Sequence, residues 1–199
     1  KAGGDITVTA SDKVSANSAA YGVSGGLLTV GVSKATSTVT PTVTAYIGGG
    51  SKTVTANTLS VLASLSYPTG GYSAKAYATG SSGSLIGVNA TSSSATTSGT
   101  VTGYIADNTT LSVASSVAVN ATGNSRQDAN VDSSTYGMIA AGANDTYATS
   151  NVITRSYLGN GVNIASGDPI GGLVDGQLYY AIVDDVRAFT PSSAVSGQW

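Results

Sequence analysis

Oxygen-bearing side chains at alternate positions of one segment are the first candidates for chemistry in this chain. Asp128, Asn130 and Asp132 are spaced two residues apart, so on a β-strand all three would point to the same face. Carboxylate and amide oxygens are ligands that calcium prefers. The glycine and distal glutamate of an EF-hand loop are absent. The spacing predicts a candidate calcium site, with a solvated polar face as the alternative.

Catalytic groups of the common kinds are missing. The chain of 199 residues has no His and no Cys, which excludes a Ser-His-Asp triad, a thiol nucleophile and zinc held by imidazole or thiolate. Asp184 and Asp185 are adjacent, so on a strand they would point to opposite faces and could not act on one bond. We therefore expect that the protein is not an enzyme and has no resident cofactor apart from the candidate calcium.

The composition narrows the class of protein further. Charged residues are 9% of the chain, and eight Lys and Arg leave a net charge of −2, so no basic patch favours nucleic acid. No apolar run approaches the roughly 18 residues of a membrane-spanning helix. We expect neither a nucleic-acid partner nor a membrane span.

Short segments with a period of two must carry these side chains. In the segment 6–10, Ile, Val and Ala alternate with Thr, and similar runs recur at 42–47 and 59–63. Such runs, separated by Gly- and Ser-rich pieces, are typical of β-strands and turns. The chain has no Glu and little Leu or Lys, which disfavours helix. The sequence predicts an all-β fold.

Three stretches of the chain repeat one another. Tyr46 and Tyr104 occupy matching positions 58 residues apart, and Tyr157 follows 53 residues later. The landmark Leu27-Leu28 keeps the same offsets to Leu85-Ile86 and Met138-Ile139. Repeats of this length indicate one structural unit stacked on itself. We predict a parallel β-helix or β-solenoid of three imperfect repeats at 1–165. With two or three coils of about 19 to 29 residues in each repeat, it would be a rod of roughly 30 to 45 Å.

Matching positions also suggest what the aromatic and threonine residues do. Tyr46, Tyr104 and Tyr157 are predicted to form a structural ladder, with stacking on sugars as the alternative. Thr-x-Thr pairs such as Thr42 and Thr44 favour an outer β face, and a flat array of this kind could also bind ice. Four N-glycosylation sequons begin at Asn89, Asn108, Asn120 and Asn144.

The C-terminal stretch breaks the pattern. Asp175-Gly176 lies between two apolar runs, which is a hairpin signal because a type I′ turn needs positive φ at both central residues. We predict a small β-hairpin module at 166–199 that acts as a cap or joint. The chain begins at Lys1 without Met, as expected for a processed chain or a piece of a longer one.

The segments TVTAYIGGG (42–50) and SAKAYATGSSGSLIGVNAT (73–91) resemble the repeats of giant bacterial surface and secreted proteins, the adhesin-like and haemagglutinin-like β-solenoids. The tail IGGLVDGQLYYAIV (170–183) resembles a hairpin module found among such repeats. The third repeat departs from the pattern at 126–132. The resemblance implies an extracellular or cell-surface rod, a subunit or fragment of a filament or large adhesin, with no catalytic residues.

Partners follow from the same resemblance and from the open ends of a stack. Unpaired strand edges at the ends favour copies of the same chain joined end to end, and surface glycans are the second candidate partner. The alternative function is a carbohydrate-binding or glycan-active β-helix protein, which rests on analogy of fold alone.

Overall fold

Nine β-strands make up most of residues 3–165, the part of the chain that this computed structural model describes. No helix occurs among these residues, so the predicted all-β class is confirmed. The hairpin module predicted at 166–199, and with it Asp184 and Asp185, lies outside the described residues. The strands are β1 (Ile6–Lys13), β2 (Ala16–Val39), β3 (Thr42–Ile47), β4 (Thr53–Ser66), β5 (Ala74–Ile105), β6 (Thr110–Gly123), β7 (Gln127–Tyr136), β8 (Ile139–Leu158) and β9 (Asn163–Ala165).

The strands form two parallel sheets. One sheet has the order β1-β4-β6-β9. In the other, β5 pairs with β2 and β3 on one side and with β7 and β8 on the other. Parallel neighbours need long connections between them, and here each connection is most of one sequence repeat. This arrangement is compatible with a β-helix.

Each sequence repeat forms one layer of the stack. Ala16 pairs with Ala74, which lies 58 residues later, and Ala74 pairs with Gln127, which lies 53 residues later. The expectation of two or three coils in each repeat is therefore wrong for the described residues, because hydrogen-bonded neighbours are a whole repeat apart. We call residues 6–56 the first layer, 58–113 the second and 116–165 the third. At about 4.8 Å per step, the outer layers lie about 10 Å apart, not the 30 to 45 Å expected.

A corner of the second layer explains why the offset is 58 in some columns and 53 in others. Lys13 pairs with Ser66 and Ala16 pairs with Ala74, so two residues in the first layer correspond to seven in the second. The five extra residues form a turn in which the Gly71 amide donates to the Pro68 carbonyl over 2.8 Å. The difference between the two offsets is therefore a local insertion, and strand pairing continues in register on both sides of it.

The broader part of each layer holds an aliphatic core. Side chains alternate between the two faces of a strand, and the inward positions of β3, β4, β6 and the end of β5 carry the larger apolar residues. The members buried to 1% exposure or less include Leu59, Val61, Leu65, Val101, Ile105 and Leu111. Val117, Val119 and Val152 of the third layer pack against this cluster.

The narrower part of each layer is held together through small side chains. The two halves of β5 face each other, because the Ser93 hydroxyl donates to the Ala76 carbonyl over 2.8 Å. Ala74, Ala76 and Ala78 are fully buried between these halves. Only residues of this size fit where two strand backbones approach so closely, which accounts for the Ala-, Ser- and Gly-rich sequence of this part.

The departure of the third repeat at 126–132 changes only its outer face. β7 pairs with β5 in unbroken register over ten residues. Ala129 and Val131 point inward and pack on the alanine cluster, while Asp128, Asn130 and Asp132 take the alternate, outward positions. The inward pattern is kept, so the layer keeps its shape.

Candidate functional site

Side chains that pair in register through the three layers form columns on the outer face, and the tyrosine column is the most regular. The Tyr46 and Tyr104 ring centroids are 5.1 Å apart with an interplanar angle of 8°, and those of Tyr104 and Tyr157 are 5.0 Å apart at 4°. The backbone sets this spacing, because the three residues are direct strand partners. The rings therefore form a continuous stack across all three layers.

This stack leaves few ring faces for a ligand. Both faces of Tyr104 are covered by its neighbours, while Tyr46 and Tyr157 are 51% and 43% exposed. A sugar that stacks on an aromatic ring needs an open face. Within one copy of the chain, only the outer faces of Tyr46 and Tyr157 meet that need, so the column acts mainly as packing.

A shallow cleft crosses the layers on the outer side of β2, β5 and β7. It has a volume of about 530 Å³. The Tyr21 and Tyr77 rings meet edge to face in it, with centroids 6.1 Å apart. Lys75 Nζ lies 3.6 Å from Asp128 Oδ2 beside them. Asn17 and Asn130 complete the polar lining, so the cleft combines aromatic surface with both hydrogen-bond donors and acceptors.

The candidate calcium residues lie in a row along β7 at the edge of this cleft. Alternate residues of a strand are about 6.6 Å apart, whereas calcium ligands lie within 2.6 Å of the ion. Asp128 is already paired with Lys75. Asp128 and Asn130 can face one ion, and Asp132 would reach it through water. Within residues 3–165, no three carboxylate, imidazole or thiol groups gather at one point.

A column of unlike residues escaped the sequence reasoning. Lys34 of the first layer pairs with Ser92, and Ser92 pairs with Asp145 of the third layer. Lys34 and Asp145 are both exposed. A hydrogen bond from Tyr147 to Asp145, together with the negative charge of that carboxylate, raises the pKa of Tyr147. The only signal in the sequence was spacing, since Lys34 and Asp145 are 111 positions apart, the same as Tyr46 and Tyr157.

The sequons differ in accessibility. Asn89 is 2% exposed and its side-chain nitrogen is enclosed between the halves of β5, so the folded chain cannot be modified there. Asn108, Asn120 and Asn144 are exposed. The Asn144 side-chain oxygen accepts a hydrogen bond from Ser133 over 2.8 Å.

The threonine pairs do not build an extended array. Thr42 pairs with Thr100, which pairs with Ile153, and Thr44 pairs with Thr102, which pairs with Arg155. Each threonine column is therefore interrupted in the third layer.

None of the helices needed to cross a membrane is found in the part of the chain that the structure describes. Comparisons with protein-family models, with curated proteins and with solved structures find no match for this chain.

Proposed function

We propose that this chain is a structural and adhesive segment of an extracellular rod, a β-solenoid that belongs to a bacterial surface filament or large adhesin. No catalytic step is part of the proposal. The observation that carries it is the Tyr46–Tyr104–Tyr157 stack, because one residue type recurs at one place in each successive layer. Columns of this kind lengthen a rod by adding layers, without any change in its cross-section.

The composition supports the same proposal. The inward positions of the narrow part are Ala, Ser and Thr, and the outer face carries few charges. Backbone ladders between long in-register strands hold such a structure together, and ladders of this length give stiffness along the stack. A stiff body with one repeated cross-section is suited to spacing and presentation at a surface.

Surface labelling of the producing cells tests the location. An antibody against the full chain should label intact cells, and electron microscopy of the labelled cells should place the label on projections. Protease added outside should remove the label without lysis. Label that appears only after the cells are permeabilised would contradict the proposal.

A second candidate function is carbohydrate binding at the cleft of Tyr21, Tyr77, Lys75 and Asp128, favoured by the aromatic and polar groups that meet there. Binding of the full chain to an array of glycans tests it. Tyr77→Ala should abolish binding at this cleft. Tyr136→Ala is the matched control, because Tyr136 is 71% exposed and does not line the cleft. Equal binding by both variants would exclude the cleft.

A further inference from the structure

The two outer layers each present an open strand edge within residues 3–165. β2 and β3 pair with β5 on one side, and β7 and β8 pair with β5 on the other. The other side of each of these strands has no strand partner in the described part of the chain. Open edges carry rows of free N–H and C=O groups that can pair with another chain. Opposite ends of one molecule therefore offer complementary backbone surfaces.

The side chains at these two ends match in one register. Residues of the first and third layers that share a column are 111 positions apart. If the first layer of a second copy continued the stack in that register, its Tyr46 would follow Tyr157. Its Ile6 would likewise follow Val117, an apolar pair in the aliphatic core.

We propose that copies of this chain join head to tail in this register, the third layer of one copy pairing with the first layer of the next. The inference rests on the proposed rod and specifies its partner, a second copy of the same chain. Asp145 of one copy then lies one layer, about 4.8 Å, from Lys34 of the next. Within a single copy the same two residues are separated by Ser92.

Charges at the two ends fit this register. Asp145 meets Lys34, while Asp128 meets Asn17 and Asp132 meets Tyr21, so no like charges oppose each other at these positions. A slip of one residue would turn every outward side chain inward. A slip of two residues would keep the faces but would move Asp145 away from Lys34 and would break the tyrosine stack. The matched columns therefore select one register.

The contact is heterologous, because two different surfaces of the same molecule meet. Such a contact does not close on itself when each copy is related to the next by translation along the stack. The expected product is an open fibre whose length depends on protein concentration.

Charge reversal at the two ends tests the register. Lys34→Asp places two carboxylates together at each junction, and Asp145→Lys places two ammonium groups together, so each variant alone should shift association at least tenfold in concentration. In an equimolar mixture every junction again joins opposite charges, and fibres with alternating copies should return. Lys13→Asp is the control, because Lys13 is an exposed first-layer residue that would lie beside the uncharged Asn124. Sedimentation velocity over a range of concentrations measures each case.

Cysteine pairing gives a second readout. The chain has no Cys, and Thr44 and Arg155 share a column. In the variant Thr44→Cys, Arg155→Cys, the two sulfurs of one copy are two layers apart, about 10 Å, which is too far for a disulfide. Between copies they would be one layer apart. Mild oxidation should therefore give a ladder of covalent oligomers, whereas Thr42→Cys with Arg155→Cys, about 8 Å apart, should not.

Each outcome decides the matter. A full chain that stays monomeric at all concentrations overturns the head-to-tail contact and leaves the surface rod as a single-copy structure, to be judged by cell labelling. Association that the mixed charge variants do not restore, or cross-links equally strong in the slipped pair, overturns the register. Fibres restored only in the mixture, with cross-links only at 44 and 155, establish it.

Discussion

The Tyr104 ring lies 5.0 Å from the Tyr157 ring and within 4° of parallel to it. The two residues are 53 positions apart in the sequence, yet they are direct partners in neighbouring strands. Backbone pairing thus holds the rings in a stack that isolated tyrosines would not adopt, since aromatic pairs prefer offset or edge-to-face contacts. The stack is a consequence of the parallel register.

Removing the central ring tests how much the stack contributes. Tyr104→Ala loses two ring contacts, each worth about 0.5–1.5 kcal/mol beyond the buried area, so the free energy of unfolding should fall by about 1–3 kcal/mol. Tyr46→Ala loses one contact and should cost about half as much. Tyr104→Phe keeps both contacts and should stay close to wild type. Urea unfolding measures all three, and equal losses for the two alanine variants would contradict the stack.

Close packing between the halves of β5 predicts an effect of a single methyl group. A Cβ at Gly80 would lie 2.6 Å from Asn89 Nδ2 and 2.7 Å from Thr91 Oγ1, and both side chains are buried. Gly80→Ala should lower the free energy of unfolding by about 1–3 kcal/mol because it overpacks this interior.

The control for that substitution is Gly83→Ala on the same strand. A Cβ there meets no atom within 4 Å, so the change should stay within about 0.5 kcal/mol. The double variant Gly80→Ala, Asn89→Ala should recover part of the loss. If Gly80→Ala were as stable as Gly83→Ala in urea unfolding, the close approach would be wrong.

A carboxylate at the start of the first layer predicts a dependence on pH. Hydrogen bonds from Thr58 and then from Asn57 lower the pKa of Asp5, and Asn57 Nδ2 donates to Asp5 Oδ1 over 3.0 Å. Because the folded pKa is below the unfolded one, this carboxylate stabilises the fold above the unfolded value, and the contribution disappears as pH falls through the folded value. The wild-type unfolding midpoint should drop below about pH 4.

Asp5→Asn should remove that part of the pH dependence. Asp12→Asn is the matched control, because it is the backbone oxygen of Asp12 that accepts a hydrogen bond, from Ser66. Thermal unfolding between pH 2 and pH 6 measures both variants. A wild-type loss that persists unchanged in Asp5→Asn would show that other groups carry it.

Calcium at Asp128, Asn130 and Asp132 stays a prediction. Two carboxylates on an open strand face should hold the ion with a dissociation constant of about 0.1–1 mM. Asp132→Asn should weaken binding, and Lys75→Met should strengthen it because it frees Asp128 from its ion pair. Calorimetric titration with calcium measures each variant. No heat and no change in the NMR spectrum at millimolar calcium would exclude the site.

Much of the column structure could be read from the sequence. Tyr46, Tyr104 and Tyr157 were matched by spacing alone, and so were Leu28, Ile86 and Ile139, which are also strand partners. In parallel in-register pairing, equivalent residues of successive repeats face each other, so similarity in sequence becomes proximity in space. Alternation with a period of two likewise indicated strands, because side chains of a strand alternate between its faces.

Other features depended on which strands pair, and the sequence could not decide that. The number of layers in each repeat was wrong, because a period of 58 is consistent with one coil or with several shorter ones. Lys34 and Asp145 share a column although they are unlike residues, so no similarity links them.

By itself, then, the sequence determined the all-β class, the repeat and the residues that would be equivalent. The tertiary structure alone decided that a whole repeat is one layer, that Asn89 is buried, and that Asp128 is paired with Lys75. The physical reason is that local alternation fixes which face of a strand a side chain takes, whereas long-range backbone hydrogen bonds choose the neighbour it meets there.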